Sequence, residues 1–176
     1  MNPTAVAEPC KWFGETAGFW IQTSVLAVSA IAAVWVIRAS KTQEKRRATI
    51  DLIMDQKRDP NLVVARKKII AMHESGEKNF SRFLSTPASD EYKNILLVLN
   101  AYEFVASGIR EGAFDEYTYK RLRYFNLIRD WNALSAFVTE FQNSKRSYTL
   151  FQDFAWLGKR WMNKPLKADR KQPIPN

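Results

Sequence analysis

The chain has 176 residues, with 27 Lys and Arg against 18 Asp and Glu, and a single histidine and a single cysteine. That inventory excludes an intramolecular disulfide and disfavours the usual His- and Cys-based zinc sites, and it leaves about one domain's length of polypeptide beside any membrane segment. The net charge of +9 calls for an anionic counterpart: a lipid surface, an acidic protein or nucleic acid.

Residues 1–18 contain two prolines and many small residues and are expected to form a short extracytoplasmic tail. Cys10 lies in this tail and is expected to be an idle thiol. Residues 19–37 then run from Phe19 to Ile37 without one charge. As a helix this stretch is about 28 Å long, close to the ~30 Å hydrocarbon core of a bilayer. Trp20 and Trp35 stand near its two ends, where an indole can keep its ring in lipid and its N–H wet. A cleaved signal peptide fits less well, because Glu8 and Glu15 outnumber Lys11 before the run and the run exceeds the usual apolar length of about 7–15 residues. One transmembrane helix is therefore expected.

Arg38, Lys41, Lys45, Arg46 and Arg47 follow at once, whereas Lys11 alone precedes. The positive-inside bias places the C-terminal part in the cytoplasm and the N-terminus outside. These five cations are expected to contact the bilayer surface, through anionic lipid, with Arg66, Lys67 and Lys68 adding to the same face. Gly14, Gly18, Thr23, Ala27 and Ala30 form a sequence of small residues through which the span could build a homo-oligomer.

Residues 38–58 hold no helix breaker and are expected to carry the helix on as a stalk, with Ile50, Ile53 and Met54 on one face. Asp59-Pro60 is an N-cap followed by a first-turn proline, so a new helix and the helical domain, 59–162, begin there. Gly76 suits that helix's end, and His73 is a surface histidine. Phe80, Phe83 and Leu84 suggest an inward-facing turn. Ser89 or Asp90 caps the strongest helix, 91–111, whose Ile95, Leu99, Tyr102, Ala106 and Ile109 follow helical spacing, while Leu97, Val98, Phe104 and Val105 fill the other side. Apolar nearly all round, it should be central. Gly112 ends it and Asp115 caps a helix over 116–143, about 42 Å long, with a seam of Leu127, Trp131, Leu134, Val138 and Phe141. Thr149-x-x-Gln152 has capping-box form and should open a last helix with Phe151, Phe154, Ala155, Gly158 and Trp161 inward. Residues 163–176 are basic and proline-bearing, as in a disordered tail. The fold class is all-α: one N-terminal transmembrane helix followed by a cytoplasmic bundle of about four to five helices.

Catalytic signatures are missing. No Ser-His-Asp set, Cys-His pair, phosphate loop or metal-ligand spacing occurs, so no cofactor is expected and the chain is read as non-enzymatic. Asn100 and Glu103 are polar positions inside the central helix. A buried carboxylate needs a partner, and Arg123 and Arg129 on the next helix are the candidates; the group is a polar anchor that fixes helix register, or a functional carboxylate. Lys120-Arg121-x-Arg123-Tyr124-Phe125 and Lys159-Arg160-Trp161 mix basic and aromatic residues as single-strand binders do, but core aromatics beside a solvated basic face explain them as well, so nucleic acid is disfavoured as a partner.

Tyr102-Glu103-Phe104-Val105-Ala106-x-Gly108-Ile109-x-x-Gly112-x-x-Asp115 resembles a family of bacterial and phage proteins of unknown function, with one N-terminal membrane helix and a helical cytoplasmic domain, over roughly 45–161. The resemblance implies a bacterial inner (cytoplasmic) membrane and a setting of phage defence or superinfection exclusion, and it carries no catalytic residue. The expected function is a membrane-anchored scaffold that binds an unidentified protein partner at the inner leaflet. The alternatives are a self-associating membrane-perturbing effector and a nucleic-acid-binding module.

Overall fold

Capping residues and apolar spacing give five α-helices and one short 3-10 helix among the described residues. The structure, a computed structural model, describes residues 11–12, 15–77 and 79–167. Cys10 and Gly14, and the tail beyond 167 with its prolines, lie outside the described residues. The chain forms two compact units, Met1–Gln43 and Glu44–Asn176.

In the first unit, Lys11–Trp12 (β1) pairs antiparallel with Glu15–Thr16 (β2), a two-residue ladder where an unstructured tail is expected. Helix α1, Ala17–Arg58, follows. Its described side chains are exposed all the way to Ala48, including Ile31 at 70% and Trp35 at 73%. Ser24 and Ser29 return their hydroxyls to the carbonyls of Trp20 and Val25, each at 2.8 Å. The apolar stretch thus satisfies polar groups within its own turns, as a helix in lipid must.

The second unit starts within α1, at Glu44 rather than at Asp59. Thr49, Ile53 and Gln56 are buried there, so the last turns of α1 belong to the bundle. The expected face was different: Ile50 and Met54 are exposed. Spacing marks a stripe on a helix, but the neighbours decide which flank of it is covered, and Thr49 is drawn inward by accepting the backbone N–H of Asp115 at 2.8 Å.

Helix α2, Pro60–Glu74, starts as expected: the Asp59 carboxylate accepts the N–H groups of Asn61 and Leu62 at 2.9 and 3.3 Å. Beyond its end, Gly76 adopts φ +92°, which a side chain would oppose. The 3-10 helix Phe80–Ser85 buries Phe80 and Phe83. Helix α3, Asp90–Arg110, is capped by the Ser89 hydroxyl on Tyr92 N–H, and α4, Glu116–Lys145, by Asp115 on Thr118 N–H at 2.8 Å. Helix α5 is Gln152–Asn163.

Helix α3 packs against α2 and α5, and α4 against α5 and the 3-10 helix. The whole expected seam of α4, from Leu127 to Phe141, is buried. Helix α3 is less enclosed than its composition suggests, since Val98 and Val105 are buried but Phe104 is 61% exposed. Helix α5 crosses α4 closely: a Cβ on Gly158 would stand 2.5 Å from the Trp131 ring.

Candidate functional site

The basic segment behind the apolar stretch is the first candidate. Arg38, Lys41, Lys45, Arg46 and Arg47 are all exposed. Arg47 lies 3.9 Å from Asp51 one turn on, an exposed pair of little energetic weight. Lys45 and Arg46 act on the bundle itself. Burial pushes the Asp115 carboxyl up, but hydrogen bonds from Thr118 and the charges of Arg46 and Lys45 outweigh it and hold the group below its ordinary 3.8. Arg66, expected on this basic surface, turns inward instead: its guanidinium lies 5.1 Å over the Tyr102 ring and its Nη2 donates to Gln56 at 3.4 Å. A long apolar stem and a planar, stackable head make such a placement cheaper for Arg than for Lys. Lys67 and Lys68 stay exposed.

The second candidate is the polar set on α3. Asn100 is exposed and buries nothing. Glu103 does find partners, but neither is an arginine. Its carboxylate accepts the backbone N–H of Asp153 at 3.2 Å and of Phe154 at 2.7 Å, the free donors at the start of α5. Burial raises the Glu103 carboxyl above its ordinary 4.5, and the two backbone donors pull the other way. The capping box expected at Thr149 and Gln152 is not formed: the N-cap position is Phe151, in the left-handed region at φ 56°, with no side-chain cap. Glu103 replaces it from another helix. No local motif reveals that, because the donor and acceptor are about fifty residues apart.

Arg123 and Arg129 belong to a different cluster. Tyr102 donates its hydroxyl to Asp130 Oδ2 at 2.6 Å, and Arg129 reaches Oδ1 of the same carboxylate from Nε at 3.0 Å and Nη2 at 2.9 Å. Tyr119, Arg123 and Asp130 recur at helical spacing on α4. Tyr119 is fully buried, and among the described residues its hydroxyl has no hydrogen-bond partner; the same holds for Nε of Arg66 and for Nε and Nη2 of Arg123. Burial pushes Tyr119 up to about 12 against the opposing charges of Arg66 and Arg123. Burial, then Asp130, also raise Tyr102 well above 10.0.

The basic and aromatic run on α4 splits between inside and outside. Tyr124 packs against Trp161, with centroids 6.0 Å apart, and Lys120 lies over both rings. Tyr117, Leu122 and Phe125 face outward, Phe125 at 80% exposure. A shallow hollow of about 460 Å³ opens beside Phe104, Leu97 and Leu52. Among the described residues no group of three or more His, Cys, Asp or Glu side chains could hold a metal ion.

A family model described as a domain of unknown function, DUF4760, matches residues 23–161. The chain belongs to the DUF4760 family. The matched range begins inside the apolar stretch of α1 and ends at the last core tryptophan of α5, so the family unit includes this helix as well as the bundle. No curated protein and no solved structure matches the chain. Among the described residues one helix, near the N-terminus, is long and apolar enough to cross a membrane.

Proposed function

We propose that this DUF4760 chain is a membrane-anchored, non-enzymatic interaction module, held in the cytoplasmic membrane by residues 19–37 with its N-terminus outside, and working with its basic helical unit at the anionic inner leaflet. One observation carries the reading: the uncharged stretch of α1 is exposed along its full length and is followed directly by Arg38, Lys41, Lys45, Arg46 and Arg47. Eleven large apolar side chains from Phe19 to Ile37 are exposed in it. Burying a side chain of this size is worth roughly 1.5–3 kcal/mol. Their sum exceeds the about 5–15 kcal/mol that holds a whole domain together. Such a surface needs a lipid or protein cover, and a helix of bilayer length with indoles at its ends suits lipid.

Each cation near an anionic leaflet adds on the order of 1 kcal/mol, which suits the excess of basic residues after the span. The carboxylates of the bundle favour an interaction role over catalysis. Glu103, Asp115, Glu116, Asp130 and Asp153 are all engaged as helix caps, ion pairs or hydrogen-bond acceptors.

Hydrogen–deuterium exchange of the full chain in nanodiscs tests the reading. Discs of phosphatidylcholine with phosphatidylglycerol should slow exchange in the basic segment after residue 37. Discs of phosphatidylcholine alone should not. Equal exchange in both would remove the leaflet contact.

A second reading, self-association of the span, draws on one feature: Ala30, Ile31, Val34 and Trp35 border a shallow apolar hollow of about 390 Å³ on α1. Replacing Ala27 and Ala30 by leucine should then abolish crosslinked dimers in membranes, and unchanged crosslinking would exclude that reading.

A further inference from the structure

The cluster at the junction of α2, α3 and α4 carries more positive charge than it balances. Arg129 and Asp130 form one ion pair, at 2.9 Å, and the Tyr102 hydroxyl completes it. Arg66 and Arg123 remain. Arg66 stacks on Tyr102, whose hydroxyl holds Asp130; Arg123 and Tyr119 stand about two and three turns before Asp130 on the same side of α4. The charges of both arginines act on the Tyr119 hydroxyl. Four donor atoms here are buried without a partner among the described residues: Arg66 Nε, Arg123 Nε, Arg123 Nη2 and Tyr119 Oη.

A buried N–H or O–H without an acceptor costs about 1–3 kcal/mol, and a buried charge without a counter-charge costs more. Four such atoms in one cluster, two of them on one edge of a guanidinium, make an arrangement built to be completed. Water could accept the hydrogen bonds but would leave two positive charges unopposed. A carboxylate offers two oxygens and one charge. A phosphate monoester offers three terminal oxygens, with lone pairs enough for four donors, and a charge of about −1.5 to −2 at pH 7, which suits two arginines. The Nε–Nη2 edge of Arg123 suits two of its oxygens side by side.

We propose that Arg66, Arg123 and Tyr119 form a binding site for a phosphate-monoester oxyanion, supplied by a soluble phosphate compound or by a lipid headgroup. This site does not depend on residues 19–37 crossing a bilayer, so its failure and the failure of the anchor reading are separable.

The test is thermal unfolding of the detergent-solubilised full chain, followed by tryptophan fluorescence. One arm adds inorganic phosphate against chloride at matched ionic strength. The other dopes the micelles with phosphatidic acid against oleate, an anionic lipid without phosphorus. A midpoint raised by about 4 °C or more in phosphate supports the site with a soluble ligand. A rise confined to phosphatidic acid supports it with a lipid ligand. Arg123→Gln should abolish the rise. Tyr119→Phe, which removes only the unpartnered hydroxyl, should leave the ligand-free midpoint unchanged or higher and reduce the rise. If neither phosphate nor phosphatidic acid raises the midpoint, or if Tyr119→Phe and Arg123→Gln respond as the unmodified chain does, the proposal is overturned.

Discussion

The carboxylate of Glu103 on α3 accepts the backbone N–H of Phe154 on α5 at 2.7 Å. Through it one helix supplies the cap that another lacks. Helix α5 has only 12 residues, too few to be stable alone in water, and its own N-cap residue is a phenylalanine in the left-handed region. Near its other end, Glu116 accepts from Arg160 Nε at 2.9 Å and from Trp161 Nε1 at 3.1 Å. Two carboxylates from two helices thus pin α5 near its beginning and its end.

Glu103→Ala should destabilise the bundle by about 1–2 kcal/mol, the usual cost of an N-cap with some of the burial penalty for the freed N–H groups. Glu103→Gln keeps one acceptor oxygen and should cost less. Urea unfolding of the two variants at neutral pH measures the difference. Equal stability of Glu103→Ala and the unmodified chain would show that the N–H groups of Asp153 and Phe154 do not need this acceptor.

The same two carboxylates should titrate with opposite sign. Glu103 is raised above 4.5 by burial, so the folded state holds its proton to higher pH than the unfolded state does. Its contribution is therefore greatest below 4.5 and is lost as pH rises through the folded value. For Glu116, burial pushes up, but hydrogen bonds from Arg160 and Trp161 outweigh it and hold the group below 4.5. Its contribution is present above 4.5 and is lost as pH falls through the lowered folded value. Raising the pH across this range should lower the stability of the unmodified chain relative to Glu103→Gln and raise it relative to Glu116→Gln. Urea midpoints from pH 3 to 7 read both slopes, and slopes of the same sign would contradict the assignment.

Alanine normally favours a helix over glycine by about 1 kcal/mol. Gly158→Ala should do the reverse. Its Cβ would lie 2.5–2.9 Å from three atoms of the Trp131 ring, a buried group that would have to shift. A net loss of about 1–3 kcal/mol is expected, the range for an overpacked core. A variant as stable as the unmodified chain in urea would mean that α5 and α4 can separate without cost.

Much of this architecture is legible in the residues. Asp59, Ser89 and Asp115 each cap the helix they precede, and the seam from Leu127 to Phe141 is the buried face of α4. Caps act over three residues and periodicity over a few turns, so both are visible locally. The start of α5 was not, since its cap comes from Glu103 on α3. Nor was the fate of Arg66, a residue that looks like surface charge until Tyr102 is known to lie beneath it. Phe104 errs the other way: apolar composition suggests burial, but the other helices leave it mostly in the open. Of the four residues grouped as a polar anchor, Glu103 caps α5, Arg129 pairs with Asp130, Arg123 has a buried Nε and Nη2 without a partner among the described residues, and Asn100 is exposed.

Two phenylalanines on α4 separate core from surface. Phe137 is 0% exposed and Phe125 is 80% exposed. Phe137→Ala should cost about 3–5 kcal/mol. Phe125→Ser should change stability by less than about 0.5 kcal/mol. Urea unfolding of the two variants reads the difference, and equal losses would contradict this division.

The anchor is the claim on which the proposed function rests, and alkaline carbonate extraction of membranes from cells producing the full chain tests it most directly. Extraction strips proteins held at the surface by charge and leaves those that cross the bilayer. The uncharged stretch of α1 predicts that the intact chain stays in the membrane pellet, and that deleting residues 19–37 releases it. Recovery of the intact, uncleaved chain in the supernatant would contradict the account.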